Sequence, residues 1–127
     1  MKKIKKILLL NILVITLFFS ETQLYAKSKK AELDMFCGGL LVRTSGLISK
    51  NLYKFTGQDK SLLRRLDKHL LNNGTLLLQR GYAGGAGKKD IQTGLSWANR
   101  KVGNNIRVIL IKGSSQNQTI KNCLSRY

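Results

Sequence analysis

Two cysteines, Cys37 and Cys123, constrain this chain more than any other feature, because 86 positions separate them. A redox pair usually lies close in sequence, as in Cys-x-x-Cys. A metal site needs more ligands than these thiols and the single histidine, His69, supply. In an oxidising compartment such a pair most simply forms one disulfide. We therefore predict a structural disulfide, which contributes about 4 kcal/mol by closing so long a loop.

The first 26 residues have the three parts of a secretory signal peptide. Four lysines precede an apolar run at 7–19, and a polar stretch then ends on Ala26. Spanning a bilayer takes about 20 apolar residues, so the run is too short for a permanent anchor. The alternative, a buried N-terminal helix of a cytosolic protein, fits the lysines poorly. We predict a signal peptide at 1–26 and a single mature domain at 27–127, periplasmic or secreted, without a transmembrane anchor.

The charge of the chain is strongly positive. The chain has 23 Lys and Arg residues but only 6 Asp and Glu residues, which gives a formal net charge of +17. Removal of 1–26 leaves a net charge of about +14, enough to attract anionic surfaces. The alternative is a solvated basic surface without a binding role. Few aromatic residues interleave with the basic ones, so no specific nucleic-acid binding is expected.

Apolar periodicity predicts helices at both ends of the mature domain. The first, about Ala31–Tyr53, carries Cys37 in its apolar stripe, and the last, Gln116–Ser125, carries Cys123 beside Ile120 and Leu124. A bridge between the cysteines would join the first helix to the last. We therefore predict an all-α fold, a small bundle of four or five helices closed by one disulfide.

The middle of the chain is less clearly patterned. Thr56 or Asp59 caps a second helix, and Asn72-Asn73-Gly74 reads as a break or turn. Residues 75–80 fit either a resumed helix or a short strand, and 81–87 form a glycine-rich loop before a third helix capped by Asp90. Residues 106–112 are rich in β-branched side chains, but isolated strands are unstable, so helix continuation is favoured.

The glycine-rich loop does not match a nucleotide-binding motif. In the Walker pattern Tyr82 would have to be glycine and Lys89 would have to be serine or threonine. We interpret 81–87 as a flexible connection. An anion-binding loop with Lys88 and Lys89 at its rim is the alternative.

No catalytic set is apparent among the acidic residues and His69. Glu32 and Asp34 near the start of the first helix favour its dipole, and Asp67 is expected to pair with Arg64 or Lys68. Asp59 and Asp90 read as helix caps, and His69 as a surface or interface residue. Since no carboxylate pair is left for acid–base chemistry, we predict no enzymatic activity, no cofactor and no metal.

The second helix suggests where such a protein would bind. Its leucines, Leu62, Leu63, Leu66 and Leu70, form one face, and basic side chains form the opposite one. We predict a non-enzymatic exported protein, of an adaptor or inhibitor/immunity type, that binds an acidic partner protein or an anionic envelope component. The alternative is a membrane-active cationic toxin or bacteriocin-like protein. The predicted binding residues are Lys60, Arg64, Arg65, Lys68, Lys88 and Lys89.

Overall fold

The computed structural model of the chain describes residues 28–126, so the predicted signal peptide lies outside the described residues. Within them the chain forms four α-helices and two short 3₁₀ helices and no strand. The predicted all-α bundle is confirmed. The α-helices are α1 (Lys29–Asn51), α2 (Gly57–Ala83), α3 (Lys88–Lys101) and α4 (Ser115–Leu124), and the 3₁₀ helices are Leu52–Lys54 and Ile106–Leu110.

Helix α1 is the central element, against which α2, α3 and α4 all pack. Its start is fixed by Ser28, whose hydroxyl accepts a hydrogen bond from the Ala31 amide at 3.1 Å, the usual N-cap interaction. Asp34, Leu41 and Ile48 recur every seven residues and are almost completely buried. A repeat of seven keeps these side chains on one side of the helix.

Helix α2 lies antiparallel to α1 and packs closely against it. Leu63, Leu70 and Leu77, again seven residues apart, are completely buried. A Cβ atom added to Gly74 would lie 3.0 Å from the Leu41 Cβ atom, and one on Gly81 would lie 2.9 Å from the Met35 amide nitrogen. The two backbones therefore approach more closely than a larger side chain at either glycine would allow.

This contact explains why the predicted break at 72–74 is wrong. Helix α2 runs without interruption through Gly74 to Ala83, so 75–80 are helical. A glycine destabilises an isolated helix by about 1 kcal/mol relative to alanine. At Gly74, however, the absence of a side chain allows α1 and α2 to pack closely. The predicted loop at 81–87 is correspondingly shorter: the chain leaves α2 at Gly84 and turns through Gly85, which has a φ of 94°.

Helix α3 is packed against α1 through Gly94. A Cβ atom there would lie 2.1 Å from the carbonyl oxygen of Phe36. The helix begins at Lys88, after Gly87, rather than at Asp90. Asp90 still contributes to the helix start, because its carboxylate accepts a hydrogen bond from the Gly87 amide at 3.2 Å and lies near the positive end of the helix dipole.

The segment after α3 is helical over 106–110, but as a 3₁₀ helix and not as a continued α-helix. Ile106 and Ile109 are buried in the core. Ser114 then joins this segment to α4: its hydroxyl donates to the Val108 carbonyl at 2.8 Å and accepts from the Asn117 amide at 3.0 Å.

The predicted disulfide is confirmed. Cys37 of α1 and Cys123 of α4 are bonded, with their Cα atoms 5.2 Å apart. Both residues are buried and belong to the main hydrophobic core, together with Leu40, Leu63 and Ile120. The bridge therefore crosslinks the first and last helices within the core, as the position of each cysteine in its apolar stripe predicts.

Candidate functional site

An open groove of about 550 Å³ runs between α2, the second 3₁₀ helix and α4. Its volume is within the range of ligand-binding clefts. Seven residues line it: Leu62, Arg65, Leu66 and His69 from α2, Ile109 and Leu110 from the 3₁₀ helix, and Asn117 from α4.

The floor of the groove is apolar. Leu62 is 39% exposed, and Leu66 and Leu110 are half-buried, although all three are leucines on elements that otherwise supply the core. Leu62 and Leu66 are therefore not fully buried, unlike the core residues Leu63 and Leu70. They present an apolar strip to solvent, and covering such a strip would contribute about 25 cal/mol for each Å² removed from water.

Asn117 places an unpaired acceptor beside this floor. Its Nδ2 atom donates to the Ile109 carbonyl oxygen at 2.7 Å, which fixes the orientation of the amide. Its Oδ1 atom is buried and has no hydrogen-bond partner within residues 28–126. A buried acceptor without a partner costs about 1 to 3 kcal/mol. The Oδ1 atom is thus a polar atom enclosed beside the groove and not exposed in it.

On the α2 side of the groove Arg65 is the lining cation, and it also borders a smaller surface pocket together with Arg64 and Lys68. Arg64, Arg65 and Lys68 are exposed, and in the described part of the chain none of them belongs to an ion pair. The expected pairing of Asp67 with Arg64 or Lys68 is wrong. The Asp67 carboxylate instead accepts hydrogen bonds from two hydroxyls of α1, those of Ser45 and Ser49, the latter at 2.7 Å.

The predicted basic residues fall into two separate groups. Lys60, Arg64, Arg65 and Lys68 lie in the first half of α2, whereas Lys88 and Lys89 begin α3, beyond the far end of α2. The helical rise places Lys68 roughly 20 Å from the end of α2. The structure therefore does not bring the two groups together, and of the α2 group only Arg65 lines the groove.

Three lining residues, Ile109, Leu110 and Asn117, had no signal in the sequence as groove residues. Each is ordinary in its local pattern: two belong to an apolar run and the third to the first turn of α4. They meet Leu62 and Leu66 through the tertiary packing of the 3₁₀ helix and α4 against α2. The residues predicted from α2 alone describe one wall of the groove.

A second polar cluster surrounds Asp34. The role of Asp34 in this cluster differs from the predicted one, which was to favour the helix dipole. Asp34 is buried, with only 1% of its side chain exposed, and Arg80 and Arg126 both bind its carboxylate. Burial raises the pKa of Asp34, but hydrogen bonds from the two guanidinium groups and their charges outweigh it and hold the pKa below its ordinary value of 3.8. This arrangement is structural, since its hydrogen-bonding groups are used within the fold.

Comparison with known protein families, with characterised proteins and with solved structures finds no match to this chain. Among the described residues no helix is both long and apolar enough to cross a membrane. Across the same residues no cluster of three or more His, Cys, Asp or Glu side chains has a geometry suited to a metal ion.

Proposed function

We propose that this protein is a non-enzymatic binding protein that holds an acidic segment of a partner protein in the groove between α2 and α4. The observation that carries the proposal is the apolar strip of Leu62, Leu66 and Leu110 in one groove with Arg65, an exposed cation that belongs to no ion pair among residues 28–126. Apolar anchors flanked by complementary charge are a common way of recognising an amphipathic segment.

The groove defines what such a segment carries. Leucine-sized side chains match the floor, and a carboxylate matches Arg65. The net charge of about +14 after removal of 1–26 adds a long-range attraction that accelerates the encounter with an acidic partner and weakens as salt increases.

An exported setting is part of the proposal. The disulfide between Cys37 and Cys123 is compatible with a periplasmic or extracellular protein, because such bonds persist mainly in oxidising compartments. Export itself rests on the predicted signal peptide at 1–26. Mass analysis of the protein purified from the natural host would test it, since cleavage after Ala26 fixes the expected mass.

Site-specific crosslinking tests the groove. A photoreactive residue at Leu62 is expected to capture a partner at low salt, and the yield is expected to fall several-fold at high salt. The charge-reversed variant Arg65→Glu/Lys68→Glu is expected to lose that product. The matched control Arg100→Glu/Lys101→Glu, on the exposed end of α3, is expected to keep it. Equal yields from both variants would contradict docking in this groove.

The same variants separate this proposal from a membrane-active toxin. Such a protein would release dye from vesicles of anionic lipid at micromolar concentration. We expect no release by the wild-type protein. If the wild type releases dye and the Arg65→Glu/Lys68→Glu variant does not, these two cations bind lipid. That outcome would reject a protein partner.

A further inference from the structure

A second cavity, of about 340 Å³, lies away from the groove, where the end of α1 meets the turn that follows α3. Its floor contains the buried side chains of Phe55 and Ile106. The remaining lining side chains are polar or basic, and no carboxylate is among them. In a chain with six acidic residues this leaves the cavity electrostatically positive.

Two cations at the cavity are held against aromatic rings. The guanidinium carbon of Arg107 lies 5.4 Å from the centre of the Phe55 ring, and the Lys54 Nζ atom lies 5.8 Å from that of Tyr53. Cation–π contacts of this length restrict the side chains but leave the N–H groups free to donate. Arginine in particular presents a planar fork that matches two oxygens of a phosphate group.

Three asparagines, Asn51, Asn104 and Asn105, supply the other polar groups of the cavity. The Asn51 Nδ2 atom donates to the Leu47 carbonyl at 2.8 Å, so its Oδ1 atom is left as an acceptor. Each amide side chain both donates and accepts. A bare phosphate only accepts, whereas a hydroxyl-rich group also donates and so satisfies the amide oxygens.

We propose that this cavity binds a phosphorylated sugar. The phosphate lies between Lys54 and Arg107, the hydroxyls bind the three asparagines, and the carbon face of the ring covers the exposed edge of the apolar floor. A single sugar unit fits a cavity of about 340 Å³, near the lower limit for ligand sites. The inference does not depend on the groove between α2 and α4, because the two sites share no lining residue.

Titration of the isotope-labelled, oxidised full-length protein by NMR tests the proposal with three probes: glucose 6-phosphate, glucose and inorganic phosphate. Glucose 6-phosphate is expected to give saturable shifts of amides in 51–55 and 103–107. Glucose and inorganic phosphate, each lacking half of the recognised groups, are expected to bind at least about tenfold more weakly. Shifts that do not saturate, or that spread evenly over the basic surface, would overturn the proposal.

Matched variants identify the residues responsible. Lys54→Gln/Arg107→Gln is expected to weaken glucose 6-phosphate binding at least about tenfold. Lys112→Gln/Lys121→Gln removes the same charge from exposed positions outside the cavity and is expected to change it less than about twofold. If loss of the Arg107 contact disturbs folding, Asn105→Asp tests the site instead. It adds a carboxylate at an exposed position of the cavity and is expected to weaken binding. Unchanged binding by Asn105→Asp and equal binding by the two double variants would each reject the site.

The phosphorylated sugar has two possible sources, a soluble metabolite or a lipid headgroup. Cosedimentation with phosphatidylcholine vesicles that contain lipid A, lost in Lys54→Gln/Arg107→Gln but not in Lys112→Gln/Lys121→Gln, would assign the headgroup. Saturable binding of glucose 6-phosphate without such cosedimentation would assign the soluble form. Both outcomes retain the site, and failure of both arms rejects it.

Discussion

The Nη2 atom of Arg126 lies 2.9 Å from the Oδ1 atom of Asp34, although 92 residues separate the two in sequence. Arg80 of α2 binds the same carboxylate at 2.7 Å and also donates to the Arg126 carbonyl oxygen. One buried carboxylate thus joins α1, α2 and the segment after α4. It lies near the opposite end of α1 from Ile48.

Replacing Asp34 is expected to destabilise the fold. Asp34→Asn keeps the size of the side chain but leaves two guanidinium groups without their carboxylate. Because Arg80 and Arg126 remain 36% and 25% exposed, we expect a loss of about 2 to 4 kcal/mol in the free energy of unfolding at pH 7. Urea denaturation measures it. Asp59→Asn, which removes a carboxylate from the first turn of α2, is the control, with an expected loss below about 1 kcal/mol. Equal losses would contradict the assigned role.

The same residue gives the protein a defined sensitivity to acid. The native pKa of Asp34 lies below its ordinary value of 3.8, so the unfolded chain takes up this proton first as the pH falls. The stabilisation is complete well above pH 3.8 and is lost as the pH falls through the native pKa. The stability gap between wild type and Asp34→Asn should therefore be constant near neutrality and narrow below about pH 4. A gap that widened in acid would refute this assignment.

Two glycines on helices should respond in opposite directions to alanine. Gly94→Ala places a Cβ atom 2.1 Å from the Phe36 carbonyl oxygen, so α3 must move away from α1. We expect a loss of about 2 to 4 kcal/mol. Gly46→Ala adds a Cβ atom with nothing within 4 Å at an exposed position in α1, and should stabilise by about 0.5 to 1 kcal/mol through helix propensity. Thermal unfolding of both variants measures the contrast, and a stabilised Gly94→Ala would disprove the close packing.

Removal of the disulfide should cost a large part of the stability. Cys37→Ser/Cys123→Ser opens a loop whose ends are 86 residues apart, and the chain-entropy model gives about 4 kcal/mol for a loop of this size. The measurement is urea unfolding of the double variant, and of the wild type with and without reductant. Addition of reductant should leave the double variant unchanged. A wild type whose unfolding midpoint is insensitive to reductant would contradict this prediction.

Ser45 and Ser49 both bind the Asp67 carboxylate, yet their hydroxyls should contribute unequally. Ser45 is buried, with 4% of its surface exposed, whereas Ser49 is exposed. Loss of the buried bond in Ser45→Ala is expected to cost about 1 to 2 kcal/mol, and Ser49→Ala less than about 0.5 kcal/mol, because water replaces the exposed hydroxyl. Chemical denaturation measures the free energy of unfolding of the two variants. Equal losses would show that burial does not set the contributions of these hydroxyls.

The predictable parts of this fold are those that depend on neighbours three or four residues apart. The apolar stripes that contain Cys37 and Cys123 place both cysteines on inward faces, in agreement with the disulfide predicted from the cysteine pair itself. The break predicted at Gly74 is wrong for the converse reason. Its helix-breaking tendency is a local property, whereas its role depends on Leu41 of a different helix.

The same distinction applies to the sites. The basic residues of α2 are apparent from one helix alone, so Arg65 could be predicted as a candidate binding residue before its place in the groove was known. Asn117 and Leu110 could not, because they reach the groove only through tertiary packing. The partners of Asp34 are likewise distant, and near the start of a helix the sequence alone offers the dipole as a sufficient explanation for its charge.

The bond between Cys37 and Cys123 makes most of the described chain a covalent ring, from which only short tails extend. Inside such a ring a single backbone cut cannot release a fragment, since both pieces stay attached through sulfur. A protease that cleaves at Lys88 or Lys89, beside the exposed glycine turn, would therefore leave a nicked molecule of nearly unchanged mass, whose two pieces separate only after reduction.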